Sequence, residues 1–572
     1  MSIDKKDVVR MLEKIATYLE LKGENPFRIS AYRRAAQGLE RDVRSLEEIE
    51  DFTTVSGIGK GTNDLILEII ETGTCETLQQ LEEEIPQGLI PLLQIPGLGG
   101  KRLSVLYQEL EIVDAESLKA ACLDGKVGKI KGFGKKTVEN ILAGLENLNK
   151  RPERLPVAYM LQIAEEIEKH LEQIQEIKKF SLAGSLRRLK ELIKDIDFII
   201  ATDDPQSVRE KILEFDMIEE VIASGDTKVS ITLHDQYRVN VDFRLVTDKE
   251  YSTTLHHFTG SKEHNVKMRQ LAKKRGLKIN EYGVEVEESK EVKQFQSEKD
   301  FFQYFGLHYI PPELREDEGE IEAFENDVEL LDMKQIRGDL HMHTTWSDGA
   351  DSLETMVEYA RSLGYEYIAI TDHSKFLQVA NGLNEDRLRK QREEINRLNE
   401  KYDDIHIFAG VEMDILPDGT LDFSDDFLKE LDIVIAAIHS SFNQSEEEIM
   451  NRLYAALDNP YVDIIAHPTG RLIGRRDGYK VNLEKLIERA KETNTVLELN
   501  ANPHRFDLSP QWLKEAQAQG VKIAINTDTH RTTTFRHMEY GVKVARKAWL
   551  QKESVINTWD LDTLMNYLNR NK

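Results

Sequence analysis

Two sets of residues in this 572-residue chain have the types and spacing to do chemistry. The first is Asp195-Ile196-Asp197, in the stretch LAGSLRRLKELIKDIDFII, followed by Asp242 in YRVNVDFRLV. Residues two apart on a strand face the same side, so Asp195 and Asp197 lie together while Ile196 and Phe198 turn to the core. Carboxylates that close repel unless a cation sits between them, and a hard divalent ion with oxygen ligands fits that need. Asp242, flanked by Val241 and Phe243, offers a third carboxylate, which would complete a two-metal site for phosphoryl transfer. A solvated strand edge is the competing reading. The second set opens with His341-Met342-His343 in RGDLHMHTTWSDG, where alternation puts both imidazoles on one face. Asp348, His373, Glu412, His439, His467, Asp528 and His530 follow, most of them closing apolar runs such as IAITDH, FAGVE, IVIAAIH, IIAH and IAINTDTH. One strand-end histidine is more often structural than a ligand, but a whole series at one end of the strands points to a metal cluster.

The carboxylates need a sheet to present them. Residues 182–200 read as a short strand ending in Gly184-Ser185, a helix carrying Arg187, Arg188 and Lys190, and a second strand bearing Asp195 and Asp197. Further strands run through Val229–Leu233 and Tyr237–Val246, with helices at Val157–Ile174 and Val208–Phe215. The histidine set needs a different frame. Its strands are separated by helices such as Leu353–Leu363 and Leu483–Thr493, which makes a βα barrel with the ligands at the C-terminal strand ends. Ahead of both frames, Val8, Leu12, Ile15 and Leu19 recur at helical spacing and a second helix runs through Ile29–Leu39. Three stretches then repeat one form, apolar-x-Gly-apolar-Gly followed by a cation and an amphipathic helix. They hold Gly57, Gly59 and Lys60; Gly97, Gly99 and Lys101; and Gly132, Gly134 and Lys135. The glycines turn the chain tightly and leave backbone N–H groups at a helix start to take a phosphate. This is the helix-hairpin-helix form, which holds a DNA backbone without reading its sequence.

Gly184-Ser185, Arg187-Arg188, Asp-x-Asp and the later lone Asp resemble, in order and spacing, the palm of family X DNA polymerases. Phe258-Thr259-Gly260-Ser261 with Asn265 and Arg269 extends the resemblance, which covers residues 1 to 310 or so. It implies that Asp195 and Asp197 bridge two Mg²⁺ or Mn²⁺ ions, with Asp242 joining the ion at the primer 3′-hydroxyl. It also implies that Gly184, Ser185 and Arg188 clamp the nucleotide's phosphates. His257, Phe258 and Gly260 would lie against its sugar, with Asn265 and Arg269 toward base and template. Many relatives carry Tyr-Phe where this chain has His257-Phe258, so the strength of ribose exclusion stays open. Some members use a lysine eight residues past the first hairpin glycine as a 5′-deoxyribose phosphate lyase; here that position is Leu65, so little or no lyase activity is expected. Residues 337 to 530 resemble the PHP (polymerase and histidinol phosphatase) family. That resemblance implies that His341, His343, Asp348, His373, Glu412, His439, His467, Asp528 and His530 hold up to three metals for phosphate-ester hydrolysis, with Glu412 as a bridge. Mixed nitrogen and oxygen ligands suit Mn²⁺ or Zn²⁺ better than Mg²⁺. Arg471, Arg475 and Arg476 either guide a DNA strand inward or form a solvated loop.

Composition bounds these readings. The net charge of −27, divided as −9 over residues 1–315 and −18 over the rest, argues against coating DNA by bulk charge and leaves phosphate contacts to helix starts. Cys75 and Cys122 are the only cysteines, which excludes a disulfide framework and a zinc–thiolate cluster. No apolar run spans a bilayer and the N-terminus reads as neither signal nor transit peptide, so a cytoplasmic protein is expected. The expected fold class is multidomain α+β and α/β. It comprises helical helix-hairpin-helix domains (1–80 and 81–150), a mixed α/β polymerase palm (151–245), a thumb-like nucleotide-selection subdomain (246–312), an exposed acidic linker with a short helix (313–336) and a distorted (βα)7-type PHP barrel (337–572). The expected function is a template-directed DNA polymerase that fills short gaps, joined to a metal-dependent 3′-5′ exonuclease with cleavage at abasic sites as a further activity. Repair, such as base excision repair, is the setting; gapped DNA with a 5′-phosphate and dNTPs are the partners, with a monomer favoured. Two rivals stand beside this: a DNA-binding scaffold with an idle palm, and a PHP phosphatase acting on a small phosphate ester. Intact Asp195, Asp197 and Asp242 argue against the first.

Overall fold

The computed structural model describes residues 5–41, 46, 49, 51–95, 98–148 and 152–570; Gly97 of the second hairpin lies outside them. Helices Lys5–Lys22 and Pro26–Arg41 bury Val8, Leu12, Ile15, Ala35 and Leu39 in one core that continues through the hairpins to Ile141 and Leu145. The helices that follow the three glycine turns are Lys60–Thr72, Gly100–Leu110 and Lys135–Leu148. Gly57 has φ +90°, and a Cβ there would meet the Arg34 carbonyl oxygen at 2.7 Å, so both backbone angle and space demand glycine.

The palm is a five-stranded sheet in the order Ile177–Leu182, Ile196–Thr202, Asn240–Val246, Lys228–Leu233, Ile218–Ser224. Its central pair is parallel and its other pairs are antiparallel. Ile196, Phe198 and Ile200 alternate into a core under helix Val157–Leu171, stacking Phe198 on Phe243 at 5.8 Å. The thumb follows as helices Tyr251–Thr259 and Lys262–Lys273, a three-stranded sheet and helix Glu298–Tyr304 around Met268, Phe301, Phe302 and Phe305.

Residues 313–336 correct the expectation of an exposed linker. Leu314, Ile321 and Phe324 belong to the thumb core. Arg315 is fully buried against Glu298, and Glu320 accepts from the buried His264 at 2.6 Å. Glu313, Arg315 and Glu320 are buried in ion pairs, whereas Asp317, Glu318, Glu322 and Glu325 stay exposed, and the expected short helix is Glu320–Ala323.

Seven parallel strands, taken in chain order from Gly338–Asp339 to Ile523–Asn526, make the C-terminal barrel, and a Met342–Thr529 bridge joins its first and last edges. Alternation separates the two faces. Ile433, Ile435 and Ala437 point inward with Tyr367, Phe408 and Ile464, while Val434 and Ala436 pack under the surrounding helices. Helix Leu561–Leu568 closes the floor with Leu564 and Leu568, leaving the C-terminal strand ends to carry the polar residues. No helix among the described residues is long and apolar enough to cross a membrane.

Candidate active sites

In the palm, Asp197 and Asp242 stand opposite one another in register on the central parallel pair, with Asp195 just before the first of those strands. Asp242 accepts from Ser230 at 2.6 Å and pairs with Lys228 at 2.8 Å. Burial, reinforced by Asp195 and Asp242, pushes the Asp197 carboxyl up to about 7 against the pull of Arg244 and Lys228. That is the electrostatic condition of a site short of positive charge.

Of the residues expected to hold a nucleotide, Gly184, Ser185 and Arg188 share one tight turn. Gly184 has φ +64°, and a Cβ on it would meet Asp197 Oδ2 at 2.3 Å, so the turn lies directly on the carboxylate. The helix expected to carry Arg187, Arg188 and Lys190 is a single turn, Gly184–Arg187, and the chain leaves it through Leu189 at φ +55°. Ser185 is half-buried on that turn. Arg187, given no task by the sequence, makes a bidentate pair with Glu298 at 2.7 and 3.1 Å. Arg188 donates to Glu316 at 2.9 Å and to the Thr259 carbonyl at 2.7 Å, so it is not a solvated helix residue. His257 and Phe258 are half-buried, and Arg244 covers the Phe258 ring at 4.2 Å. Gly260 leaves the room that Asn265 needs beside it. The Asn265 amide donates to the carbonyls of His257 at 2.8 Å and Gly260 at 3.2 Å, which commits its N–H groups to the turn between the thumb helices. Arg269 is exposed on the second of those helices. Lys60, Lys101 and Lys135 are exposed at their helix starts, and Gly59, Gly99 and Gly134 face open space where a DNA backbone could approach.

The barrel brings its nine expected ligands together around Glu412. That buried carboxylate lies 2.8 Å from His373 and His467, 3.2 Å from His439 and 3.5 Å from His341 and His343. Three groups have all their ligand atoms within 4.8 Å of one another: His343, Asp348, His373 and His530; His341, His343 and Asp528; and His373, Glu412 and His439. His341 Nε2 and both ring nitrogens of His343 are buried without a hydrogen-bond partner. Orphaned imidazole nitrogens converging with carboxylate oxygens on one volume fit divalent metal ions. His467 and Asp528 adopt φ +29° and +52°, backbone strain concentrated at two of the ligands. Burial drives His343 down to about 3, helped by His530 and His373. Burial acts the same way on His439, but Glu412 and Asp414 override it and hold that imidazole at about 10.

Three residues here were missed by the sequence reading. Glu498 accepts from His341 Nδ1 at 2.7 Å and from the His467 backbone N–H at 2.7 Å, fixing which His341 nitrogen faces the cluster. Asp414 stands 3.3 Å from His439 Nδ1, and Arg505 lies 3.7 Å from Asp528. An acid inside the apolar run VLELN was the available signal for Glu498. Of the three arginines after His467, Arg471 pairs with Glu191 of the palm at 2.7 Å, Arg476 donates to the Gly470 carbonyl at 2.7 Å, and Arg475 is exposed.

Comparison with known proteins matches the parts one by one. Residues 3–75 match a helix-hairpin-helix domain, 89–147 a SAM-like helix-hairpin-helix tandem, 254–316 the DNA polymerase beta thumb and 339–502 the PHP domain. The chain is 56% identical over 567 residues to a Bacillus subtilis protein named DNA polymerase/3′-5′ exonuclease PolX, covering 99% of this chain and 100% of that one. Over 247 residues the chain is 32% identical to a probable phosphatase of Thermoanaerobacter sp. (strain X514), covering 41% of this chain and 95% of that protein. It is 28% identical over 244 residues to a probable phosphatase of Clostridium novyi, covering 40% and 93%.

Proposed function

The chain belongs to the family X DNA polymerases that carry a C-terminal PHP domain, and on that footing we propose that its two chemistries reside in separate domains. It is a DNA polymerase and 3′-5′ exonuclease. Nucleotidyl transfer belongs to the palm, where Asp195, Asp197 and Asp242 gather around the Gly184 turn. Hydrolysis from the 3′ end belongs to the barrel. The observation that carries this division is the convergence of five imidazoles on Glu412, in a domain with its own strands and its own core.

Divalent ions, Mg²⁺ or Mn²⁺ in the palm and up to three Mn²⁺ or Zn²⁺ in the barrel, supply charge neutralisation and Lewis acidity when bound. The chain's own groups do the positioning. Asp195, Asp197 and Asp242 would hold the palm ions: Asp242 is paired with Lys228, and because burial, with Asp195 and Asp242 beside it, raises the Asp197 carboxyl to about 7, a bound cation would favour its ionised form. The Gly184 backbone, Ser185 and Arg188 hold the triphosphate, whose paired oxygens suit the planar arginine fork. In the barrel, Glu498 orients His341 and Asp414 orients His439. Cleavage at abasic sites falls within the same hydrolytic chemistry. Base excision repair in the cytoplasm, by a monomer, is the setting we favour.

Gap length tests the role of the first hairpin. The turn Gly57-Ile58-Gly59 opens helix Lys60–Thr72, whose first N–H groups can hold a 5′-phosphate while the palm holds the primer. Filling of a short gap is expected to run about two- to fivefold faster with a 5′-phosphate than with a 5′-hydroxyl or an open template. Equal rates on all three substrates, measured by primer extension, would remove the hairpin from the account.

Lyase chemistry is expected to be weak or missing. Leu65 is buried in the helical core and brings no amine, whereas Lys60 is exposed more than a turn earlier. Borohydride treatment with 5′-deoxyribose phosphate DNA should trap little protein. An efficient adduct that disappears in Lys60→Ala would identify a substitute nucleophile and contradict this expectation.

A further inference from the structure

The barrel helix His537–Lys547 packs on the barrel through Gly541 and meets palm residues at both its ends. Arg536, just before it, pairs with Glu165 of the palm at 2.9 Å. Arg546 donates to the Leu331 carbonyl at 2.6 Å and pairs with Glu313 at 3.2 Å. Lys547 donates from Nζ to two palm carbonyls, those of Arg188 and Leu189, both at 3.2 Å. We infer that Lys547 is a positioning residue for nucleotide binding, supplied by the hydrolytic domain to the polymerase palm.

Three features of the turn make that contact consequential. The helix Gly184–Arg187 is one turn long, so the carbonyls at its end have no donors from a following turn and must find them elsewhere. Leu189 sits at φ +55°, a left-handed conformation that a branched side chain disfavours and that persists only when its surroundings hold it. The side chain of Arg188 is fixed at its far end by Glu316 and the Thr259 carbonyl, both on the thumb side. The backbone that launches this side chain is fixed by Lys547. Burial pushes the Lys547 ammonium down from its ordinary value; among its neighbours Glu316 and Glu191 favour the charge, whereas Lys190 and Arg188 oppose it. A lysine there serves as a donor to carbonyls at a helix end, a role that suits its point charge and three N–H bonds.

The inference rests on the reading of Arg188 as a ligand of the nucleotide phosphates. If Lys547 is removed, two carbonyls lose their donor, the Leu189 bend relaxes and the Arg188 fork is no longer aimed. The expected result for full-length Lys547→Met in single-nucleotide addition is a KM for dNTP raised about tenfold with kcat within about twofold. Degradation from the 3′ end should be unchanged, because the cluster around Glu412 is built from other elements.

Two companions keep the outcomes distinct. Arg188→Ala should raise the KM for dNTP by itself, and the double variant Arg188→Ala with Lys547→Met should be no worse than Arg188→Ala alone, since one residue acts through the other. Lys547→Gln, with the thermal midpoint measured alongside, serves if the methionine variant does not fold. A KM within about twofold of the unaltered protein in a folded Lys547 variant overturns the inference. So does a parallel loss of kcat, nucleotide affinity and 3′ degradation, which would mark general loosening. An unchanged KM in Arg188→Ala would overturn the underlying reading of Arg188, and this inference with it.

Discussion

In a protein carrying Asp195→Ala and Asp197→Ala, nucleotide addition is expected to fall by on the order of 10³-fold or more while 3′ degradation persists. The size of the effect follows from the charge pattern. These carboxylates, with Asp242, are the concentrated negative charge beside the Gly184 turn, so without them no ion is held against the primer and the triphosphate. The change should not unfold the palm. Asp197 has its pKa raised in the fold, from 3.8 to about 7, so the folded state binds its proton more tightly than the unfolded chain does. Its ionisation therefore costs stability progressively as pH rises through that interval, and the cost is fully present above about 7. Removing it relieves repulsion at neutral pH, and the thermal midpoint is expected to stay level or rise. Primer extension and thermal unfolding on the same preparation check both halves. Loss of 3′ degradation along with extension in a folded variant would mean that hydrolysis does not belong to the barrel.

The reverse separation is expected of His341→Ala with His343→Ala. His343 takes part in two of the three groups of converging ligands, and His341 in one of them, so the pair touches most of the cluster. Degradation from the 3′ end should drop by on the order of 10³-fold or more, with nucleotide addition within about twofold of the unaltered protein. Metal content gives an independent reading: the variant should retain fewer Mn²⁺ or Zn²⁺ ions per chain after dialysis. Because Glu412 keeps His373, His439 and His467 around it, the barrel core is expected to stay folded. Undiminished degradation would exclude the barrel as the hydrolytic site.

The sequence disclosed most where one periodicity governed the outcome. Asp197 and Asp242 were legible because strands alternate, and each had a buried residue on both sides: Ile196 and Phe198, Val241 and Phe243. The residues gathered in the barrel were legible because most of them close apolar runs, and the parallel order of the seven strands follows from that rhythm. Failures came where pairing overrode polarity. Arg315, Glu298 and Glu320 look solvated one at a time, and only the fold brings Arg315 and Arg187 onto Glu298 and His264 onto Glu320. The same is true of Asn265, whose amide closes a turn, and of Lys547, whose partners lie in a different domain more than three hundred residues earlier. Local pattern carries no information about such partners, because the pairing is set by how separate elements pack and, for Lys547, by how the barrel docks on the palm.

The most direct test of two chemistries in two domains uses one gapped, 5′-phosphorylated duplex with Mn²⁺, incubated with and without dNTPs. The unaltered protein should extend the primer when dNTPs are present and shorten it from the 3′ end when they are absent. The Asp195→Ala, Asp197→Ala protein should only shorten it, and the His341→Ala, His343→Ala protein should only extend it. If either pair of substitutions silenced both reactions in a protein that remains folded, the separation of the two sites would be wrong.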